Sequence, residues 1–161
     1  MTITAPVNGD LVDPAWAVEV TDVCNAMLAL SSAWTDYSST FTLTASTSNP
    51  TKGNSTYDAR YRQVGKTVDV DIAITVGSTF SAGSGTYYFS LPVAMRDLKH
   101  GTGSCYILDS GSQDKPGGIP FGDTVNRLAV IKNDGQPVAH NFPQVWATGD
   151  QIRLTFRYEV A

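Results

Sequence analysis

The chain has 161 residues, enough for one ordinary domain and an appendage, and with 42% hydrophobic and 16% charged residues it is too apolar to be disordered. Eleven Lys and Arg against fifteen Asp and Glu leave a formal net charge of -4, which argues against a nucleic-acid partner, because binding the phosphate backbone needs a basic patch. No run of about 18 apolar residues is present to span a membrane.

The first residues, Met-Thr-Ile-Thr-Ala-Pro, lack the basic start and apolar centre of a signal peptide, so the expectation is synthesis in the cytoplasm without a cleaved export signal. Residues 1–12 read as an arm, weakly alternating and then turning at Asn8-Gly9-Asp10. The arm holds too few apolar side chains to fold alone and is expected to order by packing on a neighbour. The first basic residue is Lys52, and Asp10, Asp13, Glu19, Asp22 and Asp36 precede it.

Residues 13–30 predict a helix. Asp13 suits the N-cap and Pro14 the first helical position, where a missing N–H costs nothing. Trp16, Val20, Val23, Met27 and Leu30 recur at spacings of four, three, four and three, the seam of a coiled coil. Val18, Cys24 and Leu28 widen that stripe. The stripe fits either packing on the chain's own β-domain or self-association about an axis. Two heptads are too short to hold an isolated coiled coil in water, so the second option requires help from the following domain.

The rest reads as β-structure. Residues 40–45 alternate, and residues 46–54 form a turn-rich loop. The run before Gly65-Lys66 folds back on residues 68–76, where Val68, Val70, Ile72, Ile74 and Val76 face one way and Asp69, Asp71, Ala73 and Thr75 the other. After the Gly/Ser-rich residues 77–85, Tyr87, Phe89 and Leu91 continue the alternation, which predicts a three-strand antiparallel meander over residues 57–92. Residues 104–108 and 125–131 are further strands. Residues 109–123, with Gly111, Pro116, Gly117, Gly118 and Pro120, are expected to be a loop excursion. Asn133-Asp134-Gly135 signals a hairpin, and Pro137 and Pro143 mark an irregular edge. Residues 151–160 alternate Ile152, Leu154, Phe156 and Tyr158 against Arg153, Thr155, Arg157 and Glu159, and are expected to form a central or well-covered strand. The spacing of roughly eight strands predicts a mainly β chain, an antiparallel β-sandwich of jelly-roll type with an N-terminal arm and one short helix. The domains are residues 1–32, an arm and attachment or oligomerisation helix, and residues 33–161, the β-sandwich.

Catalytic signatures are sparse. His100 and His140 have no Cys, Asp or Glu at metal-ligand spacing, so no metal and no cofactor is expected. Asp69 and Asp71 share one strand face, as glycosidase carboxylates can, but on the wet side, where a solubilising role is the simpler reading. The Gly-rich stretches at residues 83–86 and 101–105 lack the Lys-Ser/Thr of a phosphate loop. The chain is therefore expected not to be an enzyme. Cys24 and Cys105 are expected to be two small buried thiols. Trp34, Tyr37, Tyr106, Phe121 and Trp146 lie in or near loops beside Asp and Asn, the composition of a sugar-binding surface. The competing reading is that most of these rings close the ends of the sandwich.

The run from Gly53 through Tyr-Asp-Ala-Arg-Tyr-Arg-Gln-Val-Gly-Lys-Thr-Val, then Gly-Ser-Gly-Thr-Tyr-Tyr-Phe-Ser-Leu-Pro-Val ending at Val93, resembles a β-domain at the C-terminal end of minor tail proteins of actinobacterial phages. Gly149-Asp-Gln-Ile-Arg-Leu and Tyr158-Glu belong to the same pattern. The start, Ile3-Thr-Ala-Pro-Val-Asn-Gly-Asp-Leu-Val, and the helix from Pro14 are similar to the attachment segments of small phage fibre and receptor-binding proteins. The resemblance implies a virion component of a tailed bacteriophage, made in the host cytoplasm and placed on the tail or capsid surface. It implies a β-sandwich head and a homotrimer, in which the heptad spacing would put Trp16, Val20, Val23, Met27 and Leu30 at the subunit interface. Residues 1–12 would dock on other virion proteins, and the β-head would meet a host cell-surface glycan. Two alternatives stand beside it: a capsid or tail-tube decoration protein with no receptor, and a glycan-processing enzyme.

Overall fold

The computed structural model describes residues 14–161 and, within the helix, the side chains of residues 17–28. The arm of residues 1–12, the Asp13 cap and the side chains of Trp16 and Leu30 lie outside the described residues. The chain divides into two units between Ala33 and Trp34.

Helix α1 spans Pro14–Ser32. Nineteen residues make it roughly 28 Å long at 1.5 Å per residue. Thr21 Oγ1 donates back to the Ala17 carbonyl at 2.8 Å, which satisfies the hydroxyl within the helix. Met27 of the heptad stripe is 65% exposed, while Val20 and Val23 are half-buried. Cys24 is exposed and Cys105 buried, and both are free, which corrects the expectation of two buried thiols.

The β-domain holds β1 (Thr35–Asp36), β2 (Leu43–Ala45), β3 (Thr56–Val64), β4 (Thr67–Thr75), β5 (Tyr87–Ser90), β6 (Gly101–Leu108), β7 (Gly117–Thr124), β8 (Arg127–Lys132) and β9 (Gln151–Glu159). All pairings are antiparallel, in one sheet ordered β1-β3-β4-β9-β6-β7-β8-β5-β2 and curled into a half-barrel. The curl follows from connectivity. The two outermost strands, β1 and β2, are neighbours in sequence, so the link of residues 37–42 must bring opposite edges together. Tyr37 N–H donates to the Ala59 carbonyl on β3, while Thr42 N–H donates to Ser90 Oγ on β5. The rings of Tyr37 and Phe41 meet Tyr61 and Tyr57 of β3 edge-on. The mainly β antiparallel architecture is present, built from one continuous sheet whose two halves feed a single core.

Of the residues that alternation assigned to the core, Val68, Val70, Ile72, Ile74, Tyr87, Phe89, Ile152, Leu154 and Phe156 are buried, and Leu91 is partly buried against them. The buried phenols are satisfied. Tyr87 donates to the Ala82 carbonyl and Tyr158 to that of Val93, each at 2.8 Å. The C-terminal strand β9 lies between β4 and β6, the covered position its pattern demanded.

Two expectations about the strands are overturned. The meander is not three adjacent strands: β3 and β4 pair, but β5 pairs with β8 and β2, and β9 takes the place beside β4. Strand β9 matches β4 along nine residue pairs, which the four residues of β5 cannot do. Residues 117–124, expected to be loop, form β7. Pro120 is opposite Val130 of β8, while the pairing of β7 with β6 stops at Gly118. Pro120 therefore sits where β7 has one paired neighbour, the local edge at which proline is tolerated.

One buried carboxylate fixes the entry to β9. Asp150 is fully buried; its Oδ1 accepts from the backbone N–H and hydroxyl of Ser110, each at 2.9 Å. Its Oδ2 accepts from Gln144 Nε2 at 2.8 Å and from Ala147 N–H at 2.9 Å. Gly149 precedes it at φ 92°, a backbone state that side chains disfavour.

Candidate functional site

The outer face of β3, β4 and β9 carries a ladder of charge that follows from strand register. Arg60 and Arg62 on β3 lie directly opposite Asp71 and Asp69 on β4, and Asp69 in turn lies opposite Arg157 on β9. A period of two places these side chains on the same face, and opposite charges directly across a sheet attract. Arg60 donates from Nε at 3.0 Å and from Nη2 at 2.7 Å to Asp71 Oδ2. Asp69 is shared: Arg157 Nε reaches Oδ1 at 2.6 Å, while Arg157 Nη2 and Arg62 Nε reach Oδ2 at 3.3 and 3.1 Å. Asp69 and Asp71, read as solubilising from sequence, are thus clamped in ion pairs.

The hydrogen bond from Arg157, aided by Arg62 and opposed by partial burial, holds the Asp69 carboxyl below the usual carboxylate range. A depressed pKa contributes stability that is present above the unfolded value near 3.9 and lost as pH falls through the lower folded value. Asp69→Asn is therefore expected to cost about 1 kcal/mol or less at pH 7, because these are surface pairs. The difference from the parent should shrink on going to pH 3, as read by urea titration at the two pH values. A difference that grows at pH 3 would refute this assignment.

Trp34 leads into β1 and lies on this ladder. The guanidinium carbons of Arg60 and Arg62 sit 4.9 and 5.4 Å from its ring centroid, yet the residue remains 39% exposed. Trp34, Arg62, Asp69, Asp71, Thr102, Thr155 and Arg157 line a shallow hollow of about 370 Å³. Thr155 Oγ1 of the lining is 3.3 Å from Ser104 Oγ on β6.

The aromatic residues picked from sequence divide. Trp34 lines the hollow. Tyr106 on β6, across from Arg153 of β9, and Phe121 on β7 are exposed but lie outside its lining. Tyr37 and Trp146 are buried and cannot stack on a ligand, which corrects their assignment to a binding surface. Tyr37 fills the space where the sheet edges meet, and burial raises its phenol pKa. Trp146 packs 5.9 Å from Tyr87 and donates from Nε1 to the Ala139 carbonyl at 2.8 Å. The arginines of the hollow were missed. Their signal was present in the two-residue spacing of Arg60 and Arg62 and in the outward phase of Arg157, but nothing local says which strands adjoin.

The histidines are otherwise engaged. His100 Nδ1 is 2.9 Å from both Asp97 oxygens, and His140 Nδ1 accepts from Gly85 N–H at 2.9 Å. Among the described residues no group of three His, Cys, Asp or Glu could hold a metal ion, and no helix is long and apolar enough to cross a membrane. Compared with family models, curated proteins and solved structures, the chain matches none of them.

Proposed function

We propose that this chain is a structural protein of a tailed-bacteriophage particle, a trimeric minor tail or fibre protein without catalytic activity. It docks through residues 1–12, associates through α1 and displays the β-domain to a host cell-surface glycan. The observation that carries the reading is the apolar stripe of α1, with heptad spacing through Val20, Val23 and Met27 and with Met27 mostly exposed. An apolar stripe at that spacing finds its cover in identical stripes of other copies. The resemblance to phage minor tail β-domains supplies the setting, and the exposed indole beside paired Arg and Asp supports the glycan contact.

Light scattering tests the assembly. The intact chain is expected to show three times the chain mass. The double variant Val20→Asp, Val23→Asp should fall to the single-chain mass, because an unpaired charge buried in a seam costs several kcal/mol. A parent-like mass for the double variant would end the seam assignment. Docking is tested separately: a chain lacking residues 1–12 is expected to fold yet fail to incorporate into particles, and normal incorporation would refute docking by the arm. Particle imaging that places the protein on the capsid or tail tube, with no binding to host cells, would favour a decoration protein.

A further inference from the structure

We infer that the hollow beside Trp34 binds a saccharide residue bearing an anionic group, carboxylate or phosphate. The sugar's C–H face lies on the exposed indole, and the anion meets the outward N–H groups of Arg62 and Arg157. This deepens the reading of the β-domain as a glycan-contacting head and rests on it.

The argument is one of donors against acceptors. Both oxygens of Asp69 are taken, Oδ1 by Arg157 and Oδ2 by Arg157 and Arg62. Asp71 Oδ2 is taken twice by Arg60, which leaves Asp71 Oδ1 as the one carboxylate oxygen of the lining that accepts from no described residue. The lining therefore has few acceptors left for sugar hydroxyls. Donors are in surplus: among the described residues no group accepts from Arg62 Nη1 or Nη2, or from Arg157 Nη1. Each guanidinium carries five N–H donors in a rigid fork, so the unused ones are aimed before any ligand arrives. One carboxylate serves two guanidiniums, so Arg62, Asp69 and Arg157 carry one net positive charge on a chain whose net charge is -4. The Arg60–Asp71 pair beside them is neutral. An acceptor-rich, negatively charged ligand fits that imbalance; a neutral sugar leaves it unanswered.

The apolar side is equally defined. Arg60 and Arg62 brace the Trp34 ring, which lowers the ordering cost of stacking a ligand on it. Thr102 and Thr155 place hydroxyls in the lining, able to donate or accept. The volume of about 370 Å³ lies within the range of small-molecule sites, about 300–1,000 Å³.

The test is calorimetric titration of the full chain with four probes: hyaluronan tetrasaccharide, N-acetylglucosamine 6-phosphate, neutral chitotetraose and inorganic phosphate. Binding of the first or second, at least about tenfold tighter than chitotetraose, is expected, and which of the two wins identifies the anion as carboxylate or phosphate. Arg157→Gln and Trp34→Ala should each weaken that binding about tenfold or more. Trp34→Phe should restore part of it, and cooperative melting within a few degrees of the parent would show the variants folded. Equal binding of chitotetraose, unaffected by Arg157→Gln, would overturn the anionic assignment and leave the glycan reading standing. Inorganic phosphate bound as tightly as the saccharides and independently of Trp34 would overturn the saccharide assignment. No binding of any probe at about 10 mM would overturn the site, while host-cell binding by the same chain would still uphold the wider reading.

Discussion

Asp150→Ala is expected to destabilise the β-domain by on the order of 3–5 kcal/mol, measured by guanidinium titration. The carboxylate accepts four hydrogen bonds while fully buried. Its removal takes the acceptor from the N–H groups of Ser110 and Ala147 and from one N–H of the Gln144 amide, which keeps its bond to the Leu108 carbonyl. Buried donors that lose their acceptor cost about 1–3 kcal/mol each, and more where the acceptor was charged. The stability of a typical domain is only about 5–15 kcal/mol, so the loss would be a large share. The same carboxylate bridges the loop of Ser110 to the start of β9, and Asp150 backbone accepts from Val76 N–H at 2.8 Å. The loss should therefore loosen the end of the barrel where β4, β6 and β9 meet. Asp150→Asn keeps one acceptor oxygen and presents a donor to partners that already donate, so it should fall between the parent and Asp150→Ala. A cost below about 1 kcal/mol for the alanine variant would show that water replaces the carboxylate and that the network does not hold the barrel end.

Ile72→Ala is expected to cost about 2–5 kcal/mol, the range for large-to-small changes in a packed core. Ile72 has no exposed surface, and its neighbours across the sheet are Ala59 on β3 and Leu154 on β9. Both flanking strands are fully paired with β4, so the backbone cannot close on the vacated space, and the cavity contribution adds to the lost burial. Ile72→Val removes one methylene and should cost about 0.5–1.5 kcal/mol. A urea midpoint for the alanine variant that moves by the equivalent of less than about 0.5 kcal/mol would contradict the burial of this face.

The sequence by itself determined the features that repeat over two residues. The alternation in residues 68–76 and 151–160 assigned core and outer faces, and every side chain placed on the core face there is buried. The pleat alone decides which way a strand residue points, so that information is local. The mainly β class followed from the same pattern, and the covered position of β9 from its unbroken apolar phase. The pairing of strands was different. Residues 87–90 read as the third strand of a meander, yet β4 chose β9, and the choice rests on nine matched residue pairs that no short stretch displays. Strand β7 was hidden by Pro120, because proline's missing N–H matters only once both neighbours are known. Trp34 and Tyr37, three residues apart, looked alike in sequence. One is exposed on the charged face and the other is sealed between the sheet edges, because the curl of the barrel buries the link and leaves its entry outside. The Arg62–Asp69–Arg157 cluster lies furthest from local reach: Asp69 and Arg157 are 88 residues apart in the chain. Their contact exists only because the last strand closes against the fourth, and long-range register of that kind is set by the packing of the whole sheet.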